Sequence, residues 1–161
     1  MADLAWWLTN FQASAFRLET QPVYSVPQEA AMLAAFKRNG SLPDMTDHPW
    51  VKRVREHCVT GKRMERVRVT SRPMTEYERF EVALYPHSHA AGEDIRICDG
   101  GHLGEQDFWL FDNHTVILLH YDADGSFKGF DLEVERINHY RQLRDLALSR
   151  SITLQEFLAT L

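Results

Sequence analysis

An α+β fold is the class this sequence predicts, and three observations predict it. The two ends of the 161-residue chain carry apolar positions at helical spacing, with helix start and stop signals around them. Between residues 63 and 133 the period falls to two, the spacing of strands. Several links in that middle stretch are short and turn-like: Asp99-Gly100-Gly101, Asp112-Asn113 and Asp122-Ala123-Asp124-Gly125. Short links imply antiparallel pairing, because parallel strands need a crossover of about a dozen residues or more. The expected architecture is a mostly antiparallel sheet of about six strands flanked by N-terminal and C-terminal helices, in a single domain over 1–161.

Each element follows from its own signals. Leu4, Trp7, Leu8, Phe11 and Ala15 give residues 3–15 the spacing of a helix. The adjacent Trp6 and Trp7 cannot share one narrow face, so one packs and the other lies at a groove or an interface. Pro27 opens a second helix where its missing N–H costs nothing, and Asn39-Gly40 closes it. A third begins after Asp47, with Pro49 in its first turn and Gly61 just past its end. The strands expected are Arg63–Ser71, Arg79–Tyr85, Asp94–Cys98, Asp107–Phe111, Thr115–Tyr121 and Phe127–Glu133. Helices over Arg136–Leu148 and Thr153–Leu161 follow, the second with Thr153 and Glu156 spaced as a capping box.

Composition narrows the function classes. A hydrophobic fraction of 44% and a charged fraction of 25% are those of an ordinary globular protein. The net charge of −5 argues against a dedicated nucleic-acid binder, although Lys52 to Arg72 is locally basic. Cys58 and Cys98 have no zinc or redox spacing and read as free thiols. No basic and apolar leader opens the chain, and no apolar run reaches the roughly 20 residues that span a bilayer. The expectation is a cytoplasmic protein with no membrane partner.

Charge placement is the feature that points to a site. Alternation puts Arg66 and Arg68 on one strand face with Met64, while Val67 and Val69 point the other way. Read as a strand, Arg79–Tyr85 places Glu81 opposite Phe80, Val82 and Leu84, and Ile95 and Ile97 oppose Asp94 and Arg96. Cross-strand ion pairs on a wet sheet face would explain this pattern. An arginine-lined pocket for a small anionic ligand would explain it too, since planar guanidinium groups grip carboxylate and phosphate. In that second case Arg17, Arg66, Arg68 and Arg96 neutralise the ligand, Glu93 orients one of them, and Tyr77 or Trp109 walls the site.

A second pattern involves histidines. His87-Ser88-His89, then Glu93 and Gly100, fits H-x-H-x3-E-x6-G and resembles the first metal motif of the cupin barrels. The resemblance implies a divalent transition metal held by His87, His89 and Glu93, with His120 as a further ligand. Glu81 stands where that family has a glycine, and its second motif has no match.

Read end to end, the chain resembles a family of unknown function from actinomycete bacteria. The matching pieces include Ser14-Ala15-Phe16-Arg17-Leu18-Glu19, Tyr24-Ser25-Val26-Pro27, Trp50, Gly61-Lys62-Arg63 and Arg66-Val67-Arg68-Val69. They continue with Pro73 to Glu81, Ala91 to Arg96, Asp107 to Asp112 and His120 to Gly125. Members of that family are often encoded beside helix-turn-helix regulators, and some lie in biosynthetic gene clusters. The resemblance implies an accessory or regulatory role, with a helix-turn-helix regulator protein as a partner. A metal-dependent enzyme and a structural homodimer built on Trp6, Trp7 and the C-terminal helices are the alternatives.

Overall fold

The computed structural model describes residues 2–161. Helix α1 (Leu4–Asn10) leads into strand β1 (Ser14–Glu19), followed by a 3-10 turn over Pro27–Glu29, α2 (Ala30–Asn39) and α3 (Pro49–Val59). Strand β2 (Arg63–Thr70), helix α4 (Glu76–Ala90) and strand β3 (Asp94–Asp99) come next. The meander β4 (Asp107–Phe111), β5 (Thr115–Tyr121) and β6 (Phe127–Glu133) is followed by α5 (Ile137–Ser149), the short β7 (Ile152–Thr153) and α6 (Leu154–Leu158).

The strands form one seven-stranded sheet in the order β6-β5-β4-β1-β2-β3-β7. β1, β2 and β3 run parallel, and the remaining pairs are antiparallel. The class is α+β as expected, but the sheet is mixed rather than mostly antiparallel. Two misread segments account for the difference. Residues 3–15 are not one helix: α1 stops at Asn10, and Ser14–Glu19 is a central strand. Arg79–Tyr85 is not a strand but the middle of α4, which starts with a capping box. There Thr75 accepts from the Glu78 backbone N–H, and the Glu78 carboxylate accepts from Thr75 N–H in return. α4 is the crossover that lets β2 and β3 run parallel. The capping box expected at Thr153 and Glu156 is present and begins α6.

Side-chain alternation divides the sheet into two faces. On one, Phe16, Leu18, Val67, Phe108, Leu110, Val116 and Leu118 pack against Tyr140 and Ala147 of α5. The other is covered by α1, α3 and α4, and its core is split. Ala15, Met64, Trp109, Phe111 and Ile117 pack beneath α1 and α3. Ile95 and Ile97 pack with Val82 and Tyr85 of α4 and with Leu154 and Phe157 of α6. Helix α2 adds a further layer, Met32, Leu33 and Phe36 resting on Tyr77 and Phe80. Charged residues of β1 and β2 share the sheet face on which these two apolar clusters lie. Among the described residues no helix is long and apolar enough to cross a membrane.

Candidate functional site

Parallel pairing of β1 and β2 sets Arg17 beside Arg66 and Glu19 beside Arg68, all on the helix-covered face of the sheet. Arg68 and Asp107 are fully buried, Glu93 is 1% exposed and Glu81 is 7% exposed. Charges at such depth persist only when they are paired. Arg17 Nη2 lies 2.9 Å from Asp107 Oδ2 and 4.0 Å from Glu19 Oε2. Arg66 is held twice, by Glu19 Oε1 at 2.6 Å and by Glu93 Oε2 at 3.0 Å. Arg68 Nη2 lies 2.7 Å from Glu81 Oε1.

Aromatic groups complete the layer. The Tyr85 hydroxyl lies within hydrogen-bond distance of both Glu19 and Glu81, Tyr24 donates to Asp107, and the Trp50 indole donates to Glu93. Each guanidinium also lies over ring faces: Arg17 over Tyr24 and Trp109, Arg66 over Trp50 and Tyr85, Arg68 over Tyr24. Cations over electron-rich rings gain further attraction.

The layer is not fully satisfied. Arg17 Nε, Arg68 Nε, Arg68 Nη2 and Glu81 Oε1 are buried without a hydrogen-bond partner. Arg68 and Glu81 are therefore close enough to attract as charges, while their closest atoms are misaligned for a hydrogen bond. The Coulomb attraction needs no direction, so Arg68 favours the charged form of Glu81 while both side chains keep unused bonding capacity.

Three guanidinium groups face four carboxyl groups, and the surplus has a definite location. Burial pushes the Glu81 carboxyl up to about 8 against the pull of Arg68, and the Glu19 charge adds to the rise. Burial also opposes the Glu19 charge, but Arg66, Arg17 and Arg68 together draw its carboxyl down to about 2. The layer thus carries its extra proton on Glu81 at neutral pH.

Above this layer is a cavity of about 350 Å³. Tyr24, Trp50, Tyr77, Tyr121 and Phe127 line it together with Val26, Met45 and Leu84, and Arg17, Glu19, Arg66, Glu81 and Tyr85 contribute the charged layer. Glu29, from the 3-10 turn, adds a carboxyl that accepts the Tyr77 hydroxyl and is itself shifted up by burial. An aromatic cavity with a few convergent polar groups is the usual form of a small-molecule site. A larger open groove of about 1180 Å³ runs past the C-terminal ends of β1 and β2 and over β5 and β6. The polar pairs at it, Arg72 with Asp99 and His120 with Asp131, include strongly exposed side chains, so the groove lacks the other cavity's buried charge layer.

The residues expected from sequence fall into three groups. Arg17 and Arg66 line the cavity, Tyr77 walls it, and Arg68, Glu93 and Trp109 support that layer from outside the cavity lining. Arg96 is on the opposite sheet face, where it donates to the Ser151 hydroxyl and carbonyl. Its position follows from alternation, since its neighbour Ile95 pairs across from Arg66. The histidine set is not assembled. His87 and His89 lie on α4, where a separation of two residues turns side chains about 200° apart. His89 Nδ1 contacts the Glu93 carbonyl, Glu93 binds Arg66, and His120 pairs with Asp131. No group of three or more metal-ligating side chains occurs among the described residues.

Glu19, Tyr24, Glu29, Trp50, Glu81, Tyr85, Asp107 and Tyr121 are the contributors that sequence reasoning did not assign to a site. Extending the alternation to Ser14–Glu19 would have joined Arg17 to Glu19. The spacing of Tyr77, Glu81 and Tyr85 by four would have marked one helix face.

A family model described as Domain of unknown function (DUF6879) matches residues 2–159. No curated protein and no solved structure matches the chain significantly.

Proposed function

The chain belongs to this family of unknown function, and from its geometry we propose that it is a small-molecule-binding domain with an accessory or regulatory role. The ligand occupies the aromatic cavity and sets its polar end on the arginine–carboxylate layer. The observation that carries this reading is the juxtaposition itself: buried charges with unused hydrogen-bonding atoms under a cavity walled by aromatic rings. Burying ions costs several kcal/mol each before pairing, and apolar residues would stabilise a purely structural sheet face as well or better. A polar layer at the end of a cavity is suited to orienting a ligand.

The reading departs from an arginine-lined anion site. Three guanidinium groups face four carboxyl groups, so the layer offers no net positive charge even with Glu81 protonated. The resemblance to an actinomycete family encoded beside helix-turn-helix regulators motivates the regulatory half of the proposal. In that view ligand occupancy alters a contact with a regulator protein in the cytoplasm.

A fragment screen read by nitrogen-15 NMR of the tryptophan indoles tests the proposal. Trp50 lines the cavity and its indole N–H is bonded to Glu93, whereas Trp6 is 49% exposed on α1. Fragments that enter the cavity should move the Trp50 indole signal and leave that of Trp6 in place. A screen of several hundred aromatic fragments that never moves Trp50 would remove the proposal.

A further inference from the structure

We propose, building on the pocket reading above, that the ligand is an organic cation, an amine or quaternary ammonium carried on an aromatic or alicyclic body, and that Glu81 is its counter-ion. Three features of the cavity lead to this. The first is charge balance: Arg17, Arg66 and Arg68 face Glu19, Glu81, Glu93 and Asp107, so one carboxyl lacks a matching cation. A ligand bearing one positive charge makes the layer neutral with these four carboxyls charged; Glu29, a fifth carboxyl at the cavity wall, accepts the Tyr77 hydroxyl, and burial opposes its charge. An anion leaves it with a net negative charge even when Glu81 is protonated, a costly state at this depth.

The second feature is the unused atom. Glu81 is more than nine-tenths buried and lines the cavity, and its Oε1, 2.7 Å from Arg68 Nη2, has no aligned hydrogen bond there to give up in turning to a ligand. An ammonium N–H or the methyl groups of a quaternary nitrogen would meet this carboxylate. The third is the wall. Rings of Tyr24, Trp50, Tyr77, Tyr85, Tyr121 and Phe127 border the same space. Three of them, Tyr24, Trp50 and Tyr85, already hold guanidinium groups of the layer. Aromatic enclosures with a carboxylate suit ammonium groups.

The groups facing Glu81 set how the site responds to pH. Arg68 and Arg66 of β2 favour its charge, whereas Glu19 of β1 and Glu29 of the 3-10 turn oppose it. Tyr77 and Tyr85 share its helix, and burial holds both phenols above the usual range. His48 lines the cavity from the start of α3, and burial lowers its pKa, which keeps it neutral above pH 7. Glu81 must lose its proton to pair with the ligand, so binding strengthens as pH rises towards and through its titration. For a carboxyl at about 8, the affinity for a permanently charged ligand should rise roughly twentyfold between pH 6.5 and 8.5.

The test uses benzyltrimethylammonium, whose charge does not titrate, with benzyl alcohol and phenylacetate as neutral and anionic controls. Dissociation constants come from the Trp50 indole signal at pH 6.5 and 8.5, for the wild-type protein and for Glu81→Gln. The expected result is binding of the cation at least tenfold tighter than phenylacetate at pH 8.5. The pH effect should appear in the wild type and vanish in Glu81→Gln. Glu29 shifts in the same direction as Glu81, and the variant separates the two. Equal or preferred binding of phenylacetate or benzyl alcohol would overturn the cation assignment and leave the pocket reading intact. Cation binding with no pH effect in the wild type would overturn the role of Glu81, even if the variant failed to fold. If Trp50 moves with none of the three probes but does move with other fragments, the cation assignment fails alone. If it moves with no fragment at all, the pocket reading fails with it.

Discussion

Replacing Arg68 with alanine should lower the stability of the folded state by about 3–5 kcal/mol, measured by urea denaturation. Arg68 is fully buried, donates to the Val69 carbonyl, and is the cation beside Glu81. Its loss leaves two guanidinium groups, Arg17 and Arg66, facing Glu19, Glu93 and Asp107, one buried acidic group too many. The sign of the pH effect follows. Without Arg68 the folded-state pKa of Glu81 moves further above its unfolded value, and the stability that rests on its proton is lost as pH rises through that higher value. The penalty should therefore grow above about pH 8, where the wild-type carboxyl has already ionised. Charge balance also predicts a rescue. Adding Glu19→Gln to Arg68→Met removes the surplus negative charge while keeping an acceptor for Arg66 and Tyr85, so the double variant should be more stable than Arg68→Met alone. Additive losses in that pair would contradict the charge count.

Asp107→Asn should be nearly as damaging, again by about 3–5 kcal/mol. The carboxylate is fully buried at the start of β4 and accepts four hydrogen bonds, from Arg17, Tyr24 and both the backbone and hydroxyl of Thr20. An asparagine of the same size brings an NH2 group against donors and removes the partner of Arg17. The Tyr24 wall and the Thr20 turn lose their anchor together, so fragment binding should fall along with stability. A loss below about 1 kcal/mol in denaturation would show that Arg17 does not depend on this residue.

These two expectations differ from those suited to a wet, arginine-lined surface, where replacing Arg66 and Arg68 would spare the fold. The difference shows where the sequence was legible. Strands at Arg63, Asp94, Asp107, Thr115 and Phe127 have clear alternation, and their positions agree with the structure to within about one residue at each end. Alternation also placed Arg66 and Arg68 together correctly. It misplaced Arg79–Tyr85 because Phe80, Val82 and Leu84 happen to alternate with Arg79, Glu81, the small Ala83 and Tyr85. That segment is buried on several sides, since Tyr77, Phe80, Glu81, Val82 and Tyr85 all face protein, so its apolar pattern shows no single helical stripe. Pro86 inside the helix added a false stop signal. The capping residues Thr75 and Glu78 were the available correction.

The candidate site was legible only in part for a related reason. Arg66 announces itself as a charge within a strand pattern, whereas Arg17 was singled out without a strand being read around it. Their partners do not stand out, because Asp107 reads as the polar end of an apolar strand and Glu81 lies on the misread helix. Glu19 ends a strand whose first residues, Ser14 and Ala15, were read as the end of a helix and whose remainder was given no element. Only the parallel pairing of β1 with β2, a long-range feature, brings Glu19 beside Arg68. Arg96 shows the converse: its charge fits the pattern, but its sheet face excludes it from the layer.

By this charge count Glu81 is the surplus carboxyl, protonated among the buried charges bordering an aromatic cavity. Carbon-13 NMR of the glutamate side-chain carboxyls, followed from pH 4 to pH 10, measures this directly. Glu81 should titrate near 8, and Glu19 should stay ionised throughout. A Glu81 carboxyl that titrates near 4.5, like an exposed glutamate, would contradict the charge count.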